Sequence, residues 1–389
     1  MSSCIAVINA GSSSVKFAIY ESVDAGALYR GQVEAIGTTP RPRIVDTKAG
    51  VVADRTWPSD GFDHEMATRE ILLAGQQLMQ GRVGGIGHRV VHGGRSYAAP
   101  MRVTPALLDD LAKLIPLAPL HQPHNLAPVK TIMTAAPNMP QVVCFDTAFH
   151  RTQPHLAQAF GLPRRITDEG VQRYGFHGLS YEYLVSRLRE LSPAHADERV
   201  VFAHLGNGAS LCAVKGGRSV ASTMGFTAVD GLMMGTRCGA LDPGVILYLL
   251  QEHGMDAAAI EDLIYRKSGL LGVSGISSDM RALRASSDPA AREAIDLFVY
   301  RIVREIGSLV ASLGGVDVLV FSGGIGEHDA MTRAEVVEGC RWLGAALDLE
   351  RNTRGDGLVS SAESSIAVWV IPTDEELLIA RQTAAVLAA

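Results

Sequence analysis

The sequence predicts an α/β protein made of two related halves, and three observations support this class. Strand-like and helix-like segments alternate along the whole chain. A turn rich in small polar residues, flanked by two apolar runs, occurs within residues 4–20 and recurs within 199–214. The length of 389 residues exceeds what one ordinary hydrophobic core supports, so two domains are expected.

The two recurring turns are candidate phosphate-binding elements. The first hook, residues 9–14 (Asn-Ala-Gly-Ser-Ser-Ser), lies between apolar runs at 4–8 and 15–20 that predict two strands. The second hook, residues 205–210 (Leu-Gly-Asn-Gly-Ala-Ser), has similar flanks. Turns of this composition leave backbone N–H groups available to an anion, although surface hairpins also use them. Because G-x-x-x-x-G-K-[ST] is absent, neither is a Walker P-loop, and we expect both hooks to grip one polyphosphate.

Local patterns define the remaining elements of the first half. The sequence predicts a helix over residues 62–79 and a strand that contains several glycines over residues 83–92. Thr104 and Pro105 are typical of a helix start, with Thr as N-cap and Pro at the first helical position. Residues 141–145 are a short apolar run that predicts a buried strand.

The second half shows equally clear patterns. Apolar residues recur at intervals of three or four from Ile295 to Leu313, which predicts a long amphipathic helix ending at a Gly314 cap. Residues 316–321 and 368–371 predict strands. Residues 373–376 (Thr-Asp-Glu-Glu) match a capping box that starts the last helix.

Composition narrows the class of protein. Hydrophobic residues make up 47% and charged residues 20%, and the net charge of −6 disfavours broad nucleic-acid or membrane-surface binding. No apolar run is long enough for a transmembrane helix, and the first residues do not resemble a signal peptide. The cysteines are odd in number and widely spaced, which favours reduced thiols in a cytoplasmic protein. They are Cys4, Cys144, Cys212, Cys238 and Cys340.

Two arginines stand in glycine-framed segments. Arg89 lies inside an apolar strand-like run, and Arg237 lies between Gly235 and Gly239. A planar guanidinium suits a carboxylate or phosphate held by two parallel hydrogen bonds. A structural ion pair with an Asp or Glu is the alternative for Arg89. Together, the two arginines suit a negatively charged transition state.

Three further residues could serve chemistry or structure. Asp146 follows a predicted strand directly, where ligands sit in α/β sheets, but an Asp there can also be a helix N-cap. His177 follows Gly175-Phe176 and precedes Gly178, so a ligand could approach closely; a structural histidine is the alternative. Glu375 in the first turn of the last helix either complements the helix dipole or contacts magnesium.

Loop and histidine patterns add weaker signals. Residues 278–281 and 323–327 fit loops beside a nucleotide, the second of them after a strand and before a helix. His121 and His124 could indicate zinc, but we expect Pro123 to break the helix that would place both rings on one face. We therefore expect His121 to line the active cleft instead.

Nine runs, in one order and covering nearly the whole chain, resemble the acetate kinase family. The order, not any single run, makes the match specific. The runs are residues 9–16, 87–94, 145–150, 173–178, 204–208, 234–237, 278–281, 324–327 and 373–376.

The resemblance implies a fold and a reaction. The fold is the two-domain actin-like (ribonuclease H-like) ATPase architecture with duplicated βββαβαβα cores. The implied domains are 1–147 together with the helix 374–389, and 148–373. The implied reaction is Mg²⁺-dependent transfer of the ATP γ-phosphate to acetate, giving acetyl phosphate and ADP, with Mn²⁺ as an alternative metal. A cytoplasmic homodimer is also implied.

The resemblance also implies roles for individual residues. The implied catalytic residues are Asp146, His177, Arg237 and Arg89. The implied substrate contacts are Arg89, Val91, Leu120 and Phe176, to which the cleft position of His121 is added. The implied metal positions are Asn9 and Glu375. The implied ATP contacts are Lys16, His204, Leu205, Gly206, Asn207, Gly208, Asp279, Met280, Arg281, Gly324, Ile325, Gly326, Glu327 and His328.

Departures from the family pattern leave the acyl length open. The family usually has Pro-Leu-Glu-Gly where this chain has residues 228–231 (Ala-Val-Asp-Gly), Ser-Gly-Asp in place of residues 238–240, and Asn in place of His328. In similar enzymes the proline replaced by Ala228 borders the methyl pocket, so a propionate or other short-chain fatty acid kinase is the alternative. One methylene is worth only about 1–3 kcal/mol in such a pocket.

Two hypotheses that assign the protein to other functional classes remain. An actin-like or heat-shock-like ATPase would usually begin its first hook with Asp-x-Gly-Thr, whereas this chain has Asn9-Ala10-Gly11-Ser12. A zinc hydrolase would rest on His121 and His124. Small residues at Gly235 and Gly324 leave room for a nucleotide, which favours ATP over pyrophosphate.

Overall fold

A computed structural model describes residues 4–11, 14–34, 36, 40–54, 62–119 and 121–389. The chain forms two compact units. The first comprises Met1–Phe149 with Asp374–Ala389, and the second comprises His150–Thr373.

The first unit is built on an eight-stranded sheet. Its strands are β1 (Cys4–Ala10), β2 (Val15–Tyr20), β3 (Ala27–Glu34), β4 (Arg41–Asp46), β5 (Gly50–Asp54), β6 (Val83–Val90), β7 (Met101–Arg102) and β8 (Gln141–Phe145). Its helices are α1 (His64–Met79), α2 (Pro105–Ala112) and α3 (Gln122–Ala135), with a 3₁₀ turn at Ile115–Leu117. The strand order is β5-β4-β3-β2-β1-β6-β8-β7.

The second unit is built on a six-stranded sheet. Its strands are β9 (Arg199–Leu205), β10 (Ala209–Lys215), β11 (Arg218–Ser222), β12 (Val318–Ser322), β13 (Gly357–Leu358) and β14 (Ala367–Val370). Its helices are α4 (His155–Gln158), α5 (Arg164–Asp168), α6 (Gly178–Leu191), α7 (Pro243–Gln251), α8 (Ala257–Arg266), α9 (Gly269–Ser274), α10 (Met280–Ala285), α11 (Pro289–Leu313), α12 (Gly323–His328), α13 (Ala330–Gly339) and α14 (Leu349–Arg354). Further 3₁₀ turns lie at Phe149–Thr152, Pro193–His195 and Arg341–Leu343. The last helix, α15 (Glu375–Ala388), belongs to the first unit.

The two sheets repeat one topology. Each has three successive antiparallel strands, β3-β2-β1 in the first and β11-β10-β9 in the second. Each then continues through two parallel strands, β6-β8 and β12-β14. Helices connect these parallel strands, as crossover connections require. The predicted duplicated α/β fold is confirmed.

Strand β6 shows how sequence alternation positions the last helix. Successive residues of a strand face opposite sides of the sheet. Ile86 lies in the core that includes residues of α1 and α3. On the other side, a Cβ atom on Gly87 would lie 2.2 Å from Thr383 Oγ1, so only glycine lets α15 approach this closely. Arg89 shares the face of Gly87, which brings it next to the first turn of α15.

Several element predictions are confirmed. Helix α2 begins at Pro105 with the Thr104 hydroxyl accepting from the backbone N–H of Leu107. Helix α11 ends at Gly314, which takes a left-handed conformation with φ of 71°. Strand 141–145 is formed as expected, whereas the strand predicted for 83–92 ends at Val90.

Two predicted helix signals are wrong in detail. Pro123 does not break a helix, because it occupies the first turn of α3, where its missing N–H needs no intrahelical partner. The N-cap of α15 is Asp374, whose carboxylate accepts from the Leu377 N–H. Thr373 is not the cap, because its hydroxyl bonds Ser180 instead.

The two predicted nucleotide loops are also corrected, because both carry helix. Residues 280–285 form α10 with Asp279 as N-cap. Residues 323–328 form α12, although glycine disfavours helix. Tertiary contacts compensate: the Glu327 carboxylate accepts from the Gly323 N–H, and buried Arg333 donates to the carbonyl groups of Gly326 and Glu327.

All five cysteines are free thiols, and every one except half-buried Cys238 is buried. Among the described helices, none combines the length and apolar character that crossing a bilayer requires.

Candidate functional site

A buried ion pair occupies the carboxyl ends of two neighbouring strands in the first unit. Arg89 lies near the end of β6, and Asp146 directly follows its parallel neighbour β8. Arg89 Nε donates to Asp146 Oδ1 at 3.2 Å, and Nη2 donates to Oδ2 at 2.5 Å. The Asp146 side chain is only 1% exposed. The ion pair that the sequence offered as an alternative for Arg89 is present, and both carboxylate oxygens of Asp146 accept from Arg89.

Glu375 from α15 joins this pair. Its Oε2 lies 3.9 Å from Arg89 Nε. Burial, together with the neighbouring carboxylates of Asp146 and Glu376, raises the pKa of Glu375 to about 7, against the attraction of Arg89. Burial likewise raises the pKa of Asp146, and Arg89 opposes that shift. The charged form of Glu375 is therefore disfavoured in the folded protein, although Arg89 and Lys16 both oppose the shift.

The first hook contributes polar groups to the same unit. Asn9 and Lys16 are direct cross-strand partners of β1 and β2. The amide nitrogen of Asn9 donates to Glu376 Oε1 at 3.1 Å, so its amide oxygen is the end suited to a cation. His64 Nε2 lies 2.7 Å from the Gly11 carbonyl oxygen and fixes the start of the turn. Ser12 and Ser13 lie outside the described residues.

The donor chemistry around Asn9 and Glu375 suits a hard divalent cation. Mg²⁺ is typically held by one or two carboxylates with other oxygen ligands and water. Within the described residues, no three His, Cys, Asp or Glu side chains converge into a metal centre. His124 instead packs its ring 4.4 Å from that of His64, measured between centroids.

The predicted acyl contacts lie in different environments. Val91 is 2% exposed and belongs to the first unit. His121, in the same unit, is partly exposed and takes the N-cap position of α3. Phe176 is buried in the second unit, and its carbonyl accepts from His150 Nε2 at 2.9 Å. Leu120 lies outside the described residues.

A cavity of about 1000 Å³ lies in the second unit, large enough for a nucleotide. Residues of three separate segments line this cavity: the second hook, α10 and α12. The lining residues are Gly206, Asn207, Ser278, Asp279, Met280, Arg281, Arg284, Ala285, Gly324, Ile325, His328, Asp329 and Met331. The sequence prediction missed Arg284, Asp329 and Met331, which carry no motif.

Other predicted nucleotide residues support this cavity without lining it. Leu205 is fully buried at the end of β9. Glu327 accepts from the backbone N–H groups of Gly323 and Thr373, which ties α12 to the end of the second unit. Three more of the predicted nucleotide residues, His204, Gly208 and Gly326, are not among the residues that line the cavity. Lys16 belongs to the first unit.

The second hook brings His177 and Arg237 together. A Cβ atom on Gly208 would lie 3.3 Å from His177 Nε2 and 3.7 Å from Arg237 Nη2. Arg237 Nη1 donates to the carbonyl oxygen of Ala228 at 2.8 Å. The His177 ring stacks on that of His204 with centroids 4.4 Å apart. Two side-chain nitrogen atoms from distant segments therefore lie near one glycine.

The duplicated sheets and the nucleotide-sized cavity place the chain in the actin-like class of phosphotransferases and ATPases. A sequence model of the acetokinase family matches residues 4–381. The chain therefore belongs to the acetokinase family.

Similar proteins agree with this assignment. A Rhodopseudomonas palustris protein named acetate kinase is 51% identical, with 98% of each chain covered. The structure of Porphyromonas gingivalis acetate kinase superimposes with a TM-score of 0.89 at 38% identity, covering 99% of this chain and all of the other. A propionate kinase from Francisella tularensis gives a TM-score of 0.92 at 32% identity, covering 98% and 99%.

We predict that Glu375→Gln stabilises the metal-free protein at pH 8 and has much less effect at pH 5. The carboxyl titrates near 4.5 in the unfolded chain and near 7 in the folded one. The unfolded state thus binds fewer protons between these values, and stability falls as pH rises through that window. The shift corresponds to at most about 3 kcal/mol.

Denaturant unfolding in EDTA at pH 5, 6, 7 and 8 measures this effect. Glu350→Gln is the matched control, because the Glu350 side chain is 86% exposed and its removal should change stability little at any pH. A Glu375→Gln protein no more stable than the parent at pH 8 would contradict the raised pKa assigned to Glu375 in the folded protein.

Proposed function

We propose that this chain catalyses reversible transfer of the γ-phosphate of ATP to acetate, giving acetyl phosphate and ADP. The observation that carries the proposal is that one acetokinase chain contains both a group suited to a carboxylate and a cavity suited to a nucleotide. The first unit offers a buried guanidinium beside carboxylates, and the second offers a nucleotide-sized cavity with Arg237 and His177 at its hook.

Arg89 is suited to hold the acetate carboxylate. Asp146 engages Arg89 through its Nε and one Nη2 donor, and a guanidinium carries five N–H donors. The remaining Nη edge can bind a second carboxylate in the bidentate manner that arginine favours. Asp146 then acts as a positioning residue, because both of its oxygens already accept from Arg89 and it is poorly placed to remove a proton.

The chemistry needs no general base. Acetate is ionised at neutral pH and can attack the γ-phosphorus directly. The obstacle is repulsion between two anions, so fixed positive charge and positioning account for most of the catalysis. Arg237 and the Nε2 side of His177, which face Gly208, are suited to stabilise charge on the transferring group.

Asn9 and Glu375 would hold Mg²⁺, or Mn²⁺ in its place. The fit rests on the donor set, an amide oxygen and a carboxylate, and on the neighbouring carboxylates that raise the pKa of Glu375. When bound, the metal would neutralise phosphate charge and relieve the repulsion among Asp146, Glu375 and Glu376.

Trapping of the acyl phosphate tests the proposed function. Purified protein with MgATP, acetate and hydroxylamine should form acetohydroxamate in proportion to the ADP released. Omission of acetate should abolish ADP release. ADP formation that does not depend on acetate and yields no hydroxamate would contradict the proposal and favour an ATPase of the same fold.

Propionate is a second candidate substrate. Ala228, which replaces the usual proline of the family, lies directly beside Arg237 through its carbonyl group. Relatives named acetate kinase are about 50% identical to this chain, whereas the protein of the structure named propionate kinase is 32% identical. Hydroxamate assays with acetate, propionate and butyrate at matched concentrations rank them, and we expect acetate to give the highest kcat/KM and propionate the next.

We predict that Gly324→Leu raises the KM for ATP by about tenfold or more, equivalent to about 1.4 kcal/mol. Gly324 lines the cavity, its backbone is not left-handed, and no heavy atom lies within 4 Å of an added Cβ. The side chain therefore fills nucleotide space without disturbing the fold. The KM for acetate should stay within about threefold, since a block confined to the nucleotide removes little acyl binding.

Gly161→Leu is the matched control for this variant, because Gly161 is also unobstructed but does not line the cavity. Initial-rate kinetics with varied ATP and varied acetate separate the two effects. An unchanged KM for ATP in Gly324→Leu would contradict the proposal that this cavity binds the nucleotide.

We also propose that the protein is a homodimer that uses α7. None of the nine residues of this helix, all of them described, is buried, although its sequence is Pro-Gly-Val-Ile-Leu-Tyr-Leu-Leu-Gln. Leu247 and Tyr248 are 54% and 55% exposed. An apolar helix without a buried face is typical of a surface covered by another chain.

Light scattering tests this interface. Leu247→Glu should convert the dimer to a monomer of about 41 kDa, because a charge would be buried without a partner. Leu349→Glu on α14, where Leu349 is 70% exposed, is the control and should leave the dimer intact. A monomeric parent protein, or a dimeric Leu247→Glu variant, would contradict the proposal.

A further inference from the structure

A chain of three hydrogen-bonded side chains lies behind His177 in the second unit. His177 Nδ1 is 2.9 Å from Ser210 Oγ, and Ser210 Oγ is 2.5 Å from the Tyr181 hydroxyl oxygen. Ser210 and Tyr181 are both fully buried. Tyr181 lies one turn beyond His177 in α6, and Ser210 lies on β10. The chain therefore joins the helix to the sheet directly behind the imidazole.

The backbone at His177 takes an uncommon left-handed conformation. His177 has a φ of 58°, one of only two positive values among the described non-glycine residues. A left-handed conformation costs a non-glycine residue about 1–2 kcal/mol. It persists where neighbouring contacts determine it, and such positions cluster at functional sites.

The acidities of the two hydroxyl groups give the three hydrogen-bonded side chains a direction. Burial raises the pKa of Tyr181 well above its usual range, so the phenol keeps its proton. A phenol is a stronger acid, and therefore a better hydrogen-bond donor, than the aliphatic hydroxyl of serine, so the Tyr181 hydroxyl is suited to donate to Ser210 Oγ, which accepts through a lone pair. The Ser210 proton then points to His177 Nδ1.

We propose that Tyr181 and Ser210 are positioning residues that hold neutral His177 in the tautomer with its proton on Nε2. This is the ring nitrogen that lies nearest Gly208, beside Arg237. The inference rests on the proposed function, in which the Nε2–H group donates a hydrogen bond to the transferring phosphoryl oxygen. The opposite tautomer would present a lone pair to that anion and repel it.

The direct test is the tautomer itself, which needs no substrate. Nitrogen-15 shifts of labelled histidine in the ligand-free protein, with His177 assigned by loss of its signals in His177→Gln, should show a protonated Nε2 and an unprotonated Nδ1. In Ser210→Ala the two forms should mix. A parent protein with the proton on Nδ1 would overturn the inference, even if acyl phosphate is formed.

Kinetics give an independent test. Ser210→Ala should lower kcat by about 10–100-fold, as loss of an orienting partner does, with the KM for ATP and acetate within about twofold because the bond acts in the transition state. Ser210→Thr, which keeps the hydroxyl, should restore most of kcat. Tyr181→Phe keeps Ser210 and should show a smaller loss, so the inference stays testable if the threonine does not fit.

Ser192→Ala is the matched control. Ser192 Oγ lies 2.7 Å from His195 Nδ1, the same kind of contact, but at the opposite end of α6 from His177. It should keep its kcat. An unchanged kcat in Ser210→Ala, a rise in KM alone, or an equal loss of kcat in Ser192→Ala would overturn the inference. Absence of acyl phosphate from the parent protein would contradict the proposed function instead, since the tautomer is measured without turnover.

Discussion

Arg89 is the residue on which the site of the first unit depends, because its positive charge stands among three carboxylates. Asp146 is buried, and a buried carboxylate without a cation is costly enough that removing one partner of such a pair typically destabilises by about 3–5 kcal/mol. Burial alone would lower the pKa of Arg89, but Asp146 and Glu375 raise it, so the guanidinium stays charged. The pair therefore keeps a permanent cation in a place where water is scarce.

That arrangement depends on small residues along β6. Added Cβ atoms on Gly85 and Gly87 would each lie 2.2 Å from an atom of α15, so larger residues would push the helix away. Close packing places the first turn of α15, with Glu375, against Arg89. Burial and the neighbouring carboxylates disfavour the charged form of Glu375. In the proposed function, a divalent cation at Glu375 would offset that repulsion.

Repetition of one sheet topology gives each unit a hook at the same place in its strand order. In the first unit the hook joins β1 and β2, where Asn9 opposes Lys16; in the second it joins β9 and β10, where His204 opposes Ser210. The side chains then diverge. The first hook carries groups suited to a metal and a carboxylate, and the second presents glycine backbone to His177 and Arg237.

Local signals were sufficient where neighbouring residues decide the structure, and insufficient where distant ones do. The start of α2 and the end of α11 follow from a cap and a glycine next to the helix. Helix α12 could not be predicted, because Arg333 stabilises it from the following helix. The roles suggested for Ser210 and Tyr181 were equally invisible, since a serine in a strand and a tyrosine in a helix carry no motif.

The measurement that tests the account most directly compares two arginine-to-lysine changes. Arg199 and Asp317 form a second pair in which Nε and Nη2 both engage one carboxylate, but in a more exposed position away from both hooks. Lysine keeps the positive charge but lacks the two parallel N–H donors (the fork) of a guanidinium. Arg89→Lys should lower kcat/KM for acetate by about 100-fold or more while Arg199→Lys leaves it unchanged. Nearly equal kcat/KM values in the parent and Arg89→Lys would contradict the claim that the fork of Arg89 organises the site.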